Sequence, residues 1–332
     1  MLTEPMRRPI KAAAMLSLAT LVWGASFLAM KALGLKQQEL VPAAGTWFIT
    51  SFSVLARFGI SAVLLGLCSG RKICETTQLE LWQGAGLGIF CGAGILLQMD
   101  GVQYTSASTA AFLTQCNCIL IPIILACHRR KMPGPRLILC CVMVMAGVAV
   151  LSNIDFRKIQ LGRGEAESIF ASVVFTGQIL WLERPVFHAN RNAAATFAMF
   201  ATVTLLVVPV VLLTGTGPRQ WAAAYASWPA VMLIVFLAVG CTLAAYLIMN
   251  YWQPHVSATQ AGLIYCCEPM FASVFALFLP GYLSAAFAIH YANEVLTVRL
   301  LAGGGLITAA NLLAMWPIPR PSPVDPATDR GG

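Results

Sequence analysis

Charged side chains are scarce in this sequence. Only 10% of its 332 residues are Asp, Glu, Lys or Arg, whereas a soluble domain carries about a quarter. So few charged residues cannot provide the polar surface of the one or two globular domains that this length would otherwise form. The mean hydropathy of +0.77 also excludes disorder over most of the chain. The composition is that of an integral membrane protein.

Several signatures of enzymes and binding modules are missing as well. No two of the 11 cysteines have the Cys-x-x-Cys spacing of a zinc or redox site, and the four histidines share no ligand spacing with Asp or Glu. No glycine cluster precedes a P-loop lysine. The net charge of +8 is scattered between apolar runs instead of forming the basic face that nucleic acid requires. We therefore expect no metal, no cofactor and no nucleic-acid partner.

Ten apolar runs dominate the sequence, and each approaches the roughly 20 residues that a helix needs to cross a bilayer. Unbroken runs favour helices over the alternating ten-residue segments of a β-barrel. The prediction is an all-α integral membrane protein of ten transmembrane helices, followed by a disordered, proline-rich cytoplasmic tail over 317–332. The runs cover 12–34, 45–68, 80–100, 105–127, 136–152, 166–183, 194–214, 228–250, 257–280 and 298–316.

The basic residues indicate an orientation for these helices. With the N-terminus inside, 13 of the 21 Lys and Arg residues fall on the side of the termini, seven fall on the other side, and Arg57 lies within a run. Cytoplasmic loops carry the excess of basic residues. We therefore predict a multi-pass protein of the cell (inner) membrane with both termini in the cytoplasm.

The two halves of the chain resemble each other weakly. At an offset of 150 residues, Thr109 matches Thr259 and Cys116 matches Cys266. The order of runs then predicts two five-helix repeats, 12–152 and 166–316. Because five is odd, the second repeat is inverted, which is the arrangement of many transporters with a site near the bilayer midplane.

Short motifs occur in a characteristic order along these runs: Trp23-Gly24-Ala25-Ser26-Phe27 with Lys31, Arg57-Phe58, Tyr104 to Ala110, Glu268-Pro269, and Asn293 to Thr297. Together they resemble the EamA-type branch of the drug/metabolite transporter superfamily over about 12–316. The resemblance implies ten helices around a central cavity and the export or exchange of small metabolites, amino acids among them. Two departures stand out: 280–297 is long and could form a short interfacial helix, and Cys118 occupies the position that matches Glu268.

Two charged residues lie near the middle of apolar runs. An ionised Glu268 would cost at least about 3 kcal/mol in hydrocarbon, so Glu268 is a candidate proton-coupling group, or a carboxylate that caps or pairs within the fold. Arg57 cannot lose its proton and must find an anion, a carbonyl or water. It could bind a substrate carboxylate, or it could pair with Glu268 and hold the two halves together.

Other polar and aromatic side chains within the runs complete the candidate site. Trp23 and Trp181 fall deeper than the other tryptophans and are candidate cavity walls, or simply packing. Amides within runs indicate a polar seam or lumen, or interhelical hydrogen bonds. The candidate substrate-binding residues are Arg57, Trp23, Gln115, Asn117, Trp181, Gln260 and Tyr265.

These observations favour a secondary transporter, most readily an exporter, of small organic metabolites such as amino acids. We expect alternating access around a midplane cavity without ATP, with protons as a candidate coupling ion. The partners are then a small-molecule substrate and the lipid bilayer. Two alternatives stay open: an intramembrane lipid-modifying enzyme, which needs clustered acid, base or metal ligands, and a non-transporting membrane sensor.

Overall fold

A chain this apolar must satisfy its backbone hydrogen bonds internally, and it does so as helices. The computed structural model describes residues 4–128, 134–151, 161–256 and 258–315. Within these ranges every regular element is helical, and no β-strand occurs. The predicted tail, 317–332, lies outside the described residues.

Fifteen α-helices make up the described part of the chain, together with short 3₁₀ turns and one π-helical turn. They are α1 (Glu4–Leu40), α2 (Thr46–Ser69), α3 (Gln78–Tyr104), α4 (Ala107–Thr114), α5 (Asn117–His128), α6 (Pro135–Leu151), α7 (Arg163–Leu182), α8 (Asn192–Thr214), α9 (Pro218–Ala223), α10 (Trp228–Ala238), α11 (Ala245–Trp252), α12 (Ala258–Tyr265), α13 (Glu268–Ala276), α14 (Leu279–Phe287) and α15 (Val298–Met315).

Five helical segments of the described chain are long and apolar enough to cross a membrane by themselves, and a sixth qualifies if α13 and α14, which are bent by 55°, count as one span. The all-helical membrane character expected from the sequence is therefore confirmed. The five spans are Ile10–Leu40, Thr46–Ile73, Gln78–Tyr104, Asn192–Thr214 and Trp228–His255. Shorter apolar helices account for other predicted runs: Ala107–Ile121, Ile138–Gly147 and Val298–Ala310.

The fourth and ninth predicted runs are each broken in the middle. A two-residue turn at 115–116 separates α4 from α5, and a second turn at 266–267 separates α12 from α13. Pro269 lies in the first turn of α13, where its missing N–H costs nothing, but it cannot donate to the carbonyl of Tyr265. The helix therefore ends at Tyr265 and restarts at Glu268.

The eighth run contains a π-helical turn, Val239–Ala244, between α10 and α11. Such turns are rare in proteins overall, and those that occur often lie at functional sites. The Thr242 hydroxyl donates to the carbonyl of Leu237, five residues earlier, at 2.9 Å. The side chain thus satisfies a carbonyl where the α-helical pattern is interrupted.

Helix α3 packs very closely against α8 along a row of glycines. A Cβ atom at Gly84 would lie 2.8 Å from the backbone nitrogen of Met199, and one at Gly88 would lie 2.8 Å from its carbonyl oxygen. Glycine spacing of this kind lets transmembrane helices approach until their backbones touch. On another face of α3, Gly94 accommodates the ring of Phe175 from α7. We call the contact of α3 with α7 and α8 the glycine seam.

An arginine from outside α3 binds each end of that helix. Near the start, Arg191 donates to both carboxylate oxygens of Glu80, at 2.8 and 2.9 Å, and this hydrogen bonding raises the pKa of Arg191. Near the other end, Arg163 donates to Asp100, which is fully buried. Twenty residues of α-helix separate the two carboxylates by about 30 Å. We call the two sides of the bundle the Arg191 end and the Arg163 end.

Candidate functional site

A small polar cavity of about 60 Å³ lies in the middle of the bundle, with room for a few water molecules. Helices α1, α2, α3, α4, α5, α7, α11, α12 and α13 all contribute to its wall. We call it the central cavity. Its polar lining consists of Ser26, Arg57, Gln98, Thr114, Gln115, Asn117, Gln178 and Glu268, and its aromatic lining of Trp23, Phe175, Tyr246 and Tyr265.

Arg57 is the most unusual side chain of the central cavity. It lies halfway along α2 and is only 1% exposed. Its guanidinium donates to the hydroxyl of Thr242, to the carbonyl oxygen of Cys241 at 3.1 Å and to the sulfur of Met30 at 3.5 Å. No carboxylate of the described residues forms an ion pair with it. A permanent cation is therefore buried here among neutral acceptors.

The π-helical turn supplies the acceptors that hold Arg57. Both Thr242 and the Cys241 carbonyl belong to it, and the same carbonyl accepts a hydrogen bond from Trp23 Nε1 at 3.1 Å. The indole of Trp23 then lies 5.4 Å from the ring of Tyr246 and 5.9 Å from that of Tyr265. These three aromatic rings form one apolar wall of the central cavity beside the guanidinium.

Glu268 joins the two broken helices. It is the first residue of α13, is 8% exposed, and accepts a hydrogen bond from Gln115 Nε2 at 2.9 Å. Gln115 lies in the turn between α4 and α5, so the breaks in the fourth and ninth runs meet at this bond. Among the described residues, no Lys or Arg forms an ion pair with Glu268. The Arg57–Glu268 pair considered from the sequence is not formed in this structure.

Two amides of the central cavity have polar atoms without a partner. The Oδ1 atom of Asn117 and the Nε2 atom of Gln178 are buried and make no hydrogen bond. Buried polar groups are nearly always satisfied by protein, water or ligand. One free acceptor and one free donor therefore point to a polar molecule or water in this cavity.

The structure brings together Arg57, Trp23, Gln115, Asn117, Tyr265 and Glu268 from the predicted set. It places the remaining two, Trp181 and Gln260, outside the cavity. Trp181 packs beside Trp82 and Phe187, and its Nε1 donates to the carbonyl of Gln83, because Gly86 leaves room for the indole against α3. Gln260 is exposed.

The predicted set left out several residues of the central cavity, and two residues near Arg57 are the most informative of those it did not include. Tyr246 lines the cavity, and Thr242 orients Arg57 from the π-helical turn. Tyr246 follows Thr242 by four residues in a run that is otherwise almost entirely apolar, and this spacing places both on one helix face. Thr242 and Tyr246, as two polar residues on one face of an apolar run, were the signal in the sequence for this part of the site. The π-helical turn itself has no clear sequence signature.

The Arg163 end of the bundle is closed by polar contacts between residues of the resemblance motifs. Lys31 donates to the carbonyl oxygen of Thr105, and Glu294 accepts from the hydroxyl and backbone N–H of Ser108, near the first turn of α4. Thr105 also donates to Glu165 at 2.9 Å. These contacts connect α1, α4, α7 and the segment after α14 at that end of the bundle.

No group of three His, Cys, Asp or Glu side chains in the described residues is placed to hold a metal ion. The central cavity offers a guanidinium, a carboxyl group, amides and aromatic faces. This set can bind and orient a small polar molecule, and it contains no nucleophile paired with a base.

Comparisons with known proteins agree with this arrangement. Residues 10–153 match the EamA-like transporter family. Two proteins of Archaeoglobus fulgidus, each named "Uncharacterized transporter", are 22% identical to the chain; one match covers 86% of this chain and 85% of the relative, the other 90% and 94%. A crystal structure of another protein has the same fold, with a TM-score of 0.57 at 16% identity over 92% of this chain and 96% of that one.

The family match falls on the part of the chain that carries Trp23, Arg57 and Gln115, and both relatives extend across the second half, which carries Glu268. Apolar helices of membrane-spanning length and a buried polar cavity accompany these matches. The chain is therefore a multi-pass membrane transporter, and its first half, residues 10–153, is similar to the EamA-like transporter family.

Proposed function

We propose that the protein is a secondary transporter that exports small organic metabolites carrying an anionic group, by alternating access to the central cavity. The observation that carries this proposal is the burial of Arg57 in that cavity without an anionic partner. A buried cation of this kind is costly, and in membrane proteins it usually marks a substrate or ion pathway. A carboxylate is the group that a guanidinium binds best.

The size of the central cavity supports a cycle with more than one conformation. About 60 Å³ is far below the roughly 300–1,000 Å³ of sites that bind small molecules. In the proposed cycle, this structure is a contracted state, and helices separate before a metabolite enters. The broken helices that meet at Gln115 and Glu268 are suited to this, since discontinuous helices line the midplane sites of many transporters.

Ten membrane helices in two inverted repeats, 12–152 and 166–316, remain part of the proposal. Its support is the matching position of the two helix breaks: 115–116 in the first half and 266–267 in the second, within one residue of the offset of 150. The excess of basic residues supports a cytoplasmic position for both termini, in a cell with an inner membrane. The Arg191 end is then cytoplasmic and the Arg163 end faces outward.

Efflux from proteoliposomes tests transport directly. Vesicles loaded with amino acids, nucleosides, amines and organic acids are incubated with and without a pH gradient, and mass spectrometry identifies what leaves. We expect selective loss of anionic or zwitterionic compounds. Loss of cationic amines alone would contradict the assignment of Arg57.

Two variants make this measurement specific. Arg57→Ala should lower efflux about 10- to 100-fold, which corresponds to losing one charged hydrogen bond. Trp181→Leu is the matched control, because Trp181 lies outside the central cavity and its removal should leave selectivity unchanged. If both variants lost efflux equally while remaining folded, the central cavity would not be the substrate site.

Proton coupling through Glu268 is the finer part of the proposal. Its support is the burial of the carboxyl group next to a single neutral amide, Gln115, where a change of charge is felt strongly. Glu268→Gln keeps the shape and fixes the group as neutral. This variant should lose the dependence of efflux on the pH gradient and keep exchange of substrate for substrate; pH dependence equal to that of the original protein would exclude Glu268 as the coupling group.

An intramembrane enzyme is the competing function, and the same vesicles discriminate between the two. An enzyme changes the mass of a supplied lipid or metabolite, whereas a transporter moves the compound unchanged. We expect unchanged masses for all compounds that leave the vesicles. A new product whose formation requires Arg57 or Glu268 would support the enzyme instead.

A further inference from the structure

A second cavity, of about 390 Å³, lies at the Arg191 end. Its volume falls within the range of sites that bind small molecules. The polar lining consists of amides, imidazoles and one tyrosine, with no Asp, Glu, Lys or Arg among the described residues that form it: Gln83, Asn190, Asn192, Asn250, His188, His255 and Tyr251. We call it the amide pocket.

A chain of hydrogen bonds through Asn192 and Thr196 fixes the orientation of the Asn250 amide in this pocket. Asn192 Nδ2 donates to the carbonyl of Leu247 at 3.1 Å, so its Oδ1 is an acceptor and receives the hydroxyl of Thr196 at 3.3 Å. The Thr196 oxygen in turn accepts from Asn250 Nδ2 at 3.0 Å. The Nδ2 atom of Asn250 must therefore point to Thr196, and its Oδ1 points the other way.

The Oδ1 atom of Asn250 has no hydrogen-bond partner, although the residue is only 7% exposed. An unpaired buried acceptor is rare in folded proteins, and each one calls for water or a ligand that donates. Asn250 is one of the residues that line the amide pocket. The pocket thus combines sufficient volume with an acceptor that lacks a donor.

The amide pocket lies in line with the central cavity. Tyr246 and Met249 of α11 line the central cavity, and Asn250 of the same helix lines the amide pocket. On α7, Ile179 belongs to the first and Leu182 to the second. Because α-helices rise 1.5 Å per residue, a few ångströms along these helices separate the two spaces.

Gln253 fills the region between them. It is buried, accepts a hydrogen bond from the Tyr265 hydroxyl at 2.8 Å and donates to the carbonyl of Ile179 at 3.4 Å. Both Tyr265 and Ile179 line the central cavity, so Gln253 closes that cavity toward the Arg191 end. A compound in the amide pocket would have to displace this contact to move further in.

We propose that the amide pocket is a second binding site, which takes uncharged polar compounds or groups that donate an N–H to Asn250 Oδ1, a primary amide being the simplest. An uncharged donor fits because no acidic side chain of the described lining would pair with an ammonium ion. Its place on the path to the central cavity rests on the proposed transport function; binding itself does not.

Two isomeric amides test the site. Isobutyramide and N,N-dimethylacetamide have the same composition and a carbonyl acceptor, but only isobutyramide donates N–H bonds. Binding of each to the purified full-length protein is measured by ligand-observed saturation-transfer NMR. We expect isobutyramide to bind roughly two- to tenfold more tightly, as one neutral hydrogen bond provides. Equal binding of the two isomers would mean that water satisfies Asn250, and would overturn the proposal.

Variants assign the preference to Asn250. Asn250→Leu removes the acceptor at similar volume and should abolish the preference for isobutyramide. Asn250→Asp retains an acceptor oxygen and should keep it, which also covers the case in which the leucine variant does not fold. A preference that survives in folded Asn250→Leu would place the amide elsewhere and contradict the proposal.

Transport measured on the same preparations separates the two hypotheses. If isobutyramide binds through Asn250 but no compound crosses the membrane, the amide pocket stands and the transport function fails. If compounds are exported but the two isomers bind equally, transport stands and the amide pocket fails. If both hold, Asn250→Leu should raise the half-saturating substrate concentration for efflux about two- to tenfold.

Discussion

Trp23 and Arg57 donate hydrogen bonds to the same atom, the carbonyl oxygen of Cys241, each at 3.1 Å. The two donors come from α1 and α2, and the acceptor belongs to the π-helical turn between α10 and α11. One backbone oxygen therefore connects three membrane-spanning segments from opposite halves of the chain. This contact fixes the guanidinium at the wall of the central cavity.

Removing the hydroxyl of Thr242, which accepts a hydrogen bond from Arg57, should destabilise the protein. Thr242→Val keeps the branched shape but removes this acceptor, so we expect the free energy of unfolding to fall by about 1–3 kcal/mol. Unfolding of purified protein in detergent, followed by circular dichroism, measures it. Thr204→Val is the control, since that hydroxyl bonds only the carbonyl of Phe200 one turn earlier; an equal loss in both variants would contradict the role of Thr242.

The glycine seam predicts opposite outcomes for two identical substitutions. Gly88→Ala places a methyl group 2.8 Å from the carbonyl oxygen of Met199, so we expect a loss of stability of about 1–3 kcal/mol. Gly59→Ala meets only a side-chain methyl of Thr204, at 3.8 Å, and should be neutral or stabilising by up to about 1 kcal/mol, because alanine favours helices. Thermal unfolding of both variants in one detergent compares them. Equal unfolding temperatures for Gly88→Ala and Gly59→Ala would contradict close packing in the glycine seam.

Mutating the two partners of the ion pair at the Arg163 end, Arg163 and Asp100, should reduce stability by different amounts. Asp100 is fully buried whereas Arg163 is 41% exposed, so Arg163→Ala leaves a buried carboxylate without a cation, while Asp100→Asn leaves an arginine that can reach water. We expect a loss of about 3 kcal/mol for the first change and about 1 kcal/mol for the second. Denaturant unfolding measures both.

The pair Lys36–Glu39, in which Glu39 is 42% exposed and Lys36 is partly buried, provides the reference for that comparison. Lys36→Ala should change stability by less than about 1 kcal/mol, as exposed ion pairs do. A larger loss for Asp100→Asn than for Arg163→Ala would reverse the argument from burial.

Reporter fusions test the topology. With ten spans and an internal N-terminus, a reporter after Gly332 and one inserted at His188 should both read cytoplasmic, and one inserted at Gly217 should read external. Enzymatic reporters that are active on only one side of the membrane provide the measurement. An external signal at Gly332, or the same signal at His188 and Gly217, would contradict the proposed arrangement.

Much of the site could be predicted because hydrocarbon makes polar residues conspicuous. Arg57, Gln115, Asn117 and Glu268 interrupt apolar runs, and a membrane protein tolerates such residues mainly where they meet each other or a cavity. The structure brings all four to the central cavity. Composition alone similarly led to the helical membrane character.

Contacts that depend on helix rotation could not be predicted. Trp181 lies at a depth that suits a cavity wall, but its face of α7 is set by the space above Gly86 on α3. Asp100 lies at the end of a predicted run, where a carboxylate can reach the membrane surface, yet it is fully buried and accepts hydrogen bonds from Arg163 and Thr50. The depth of a residue in the membrane follows from its position in an apolar run. The direction in which its side chain points depends on the neighbouring helix, which the sequence does not identify.

The glycine seam also determines which parts of the bundle can move. It joins α3, from the first half of the chain, to α7 and α8, from the second, at distances where backbones touch and sliding would produce clashes at every turn. Under the proposed alternating access, a rocking motion that exposes the central cavity would therefore not divide the protein between the two proposed repeats. We expect a rigid block that mixes both halves around α3, with the hinge at the broken helices, where Gln115 and Glu268 meet.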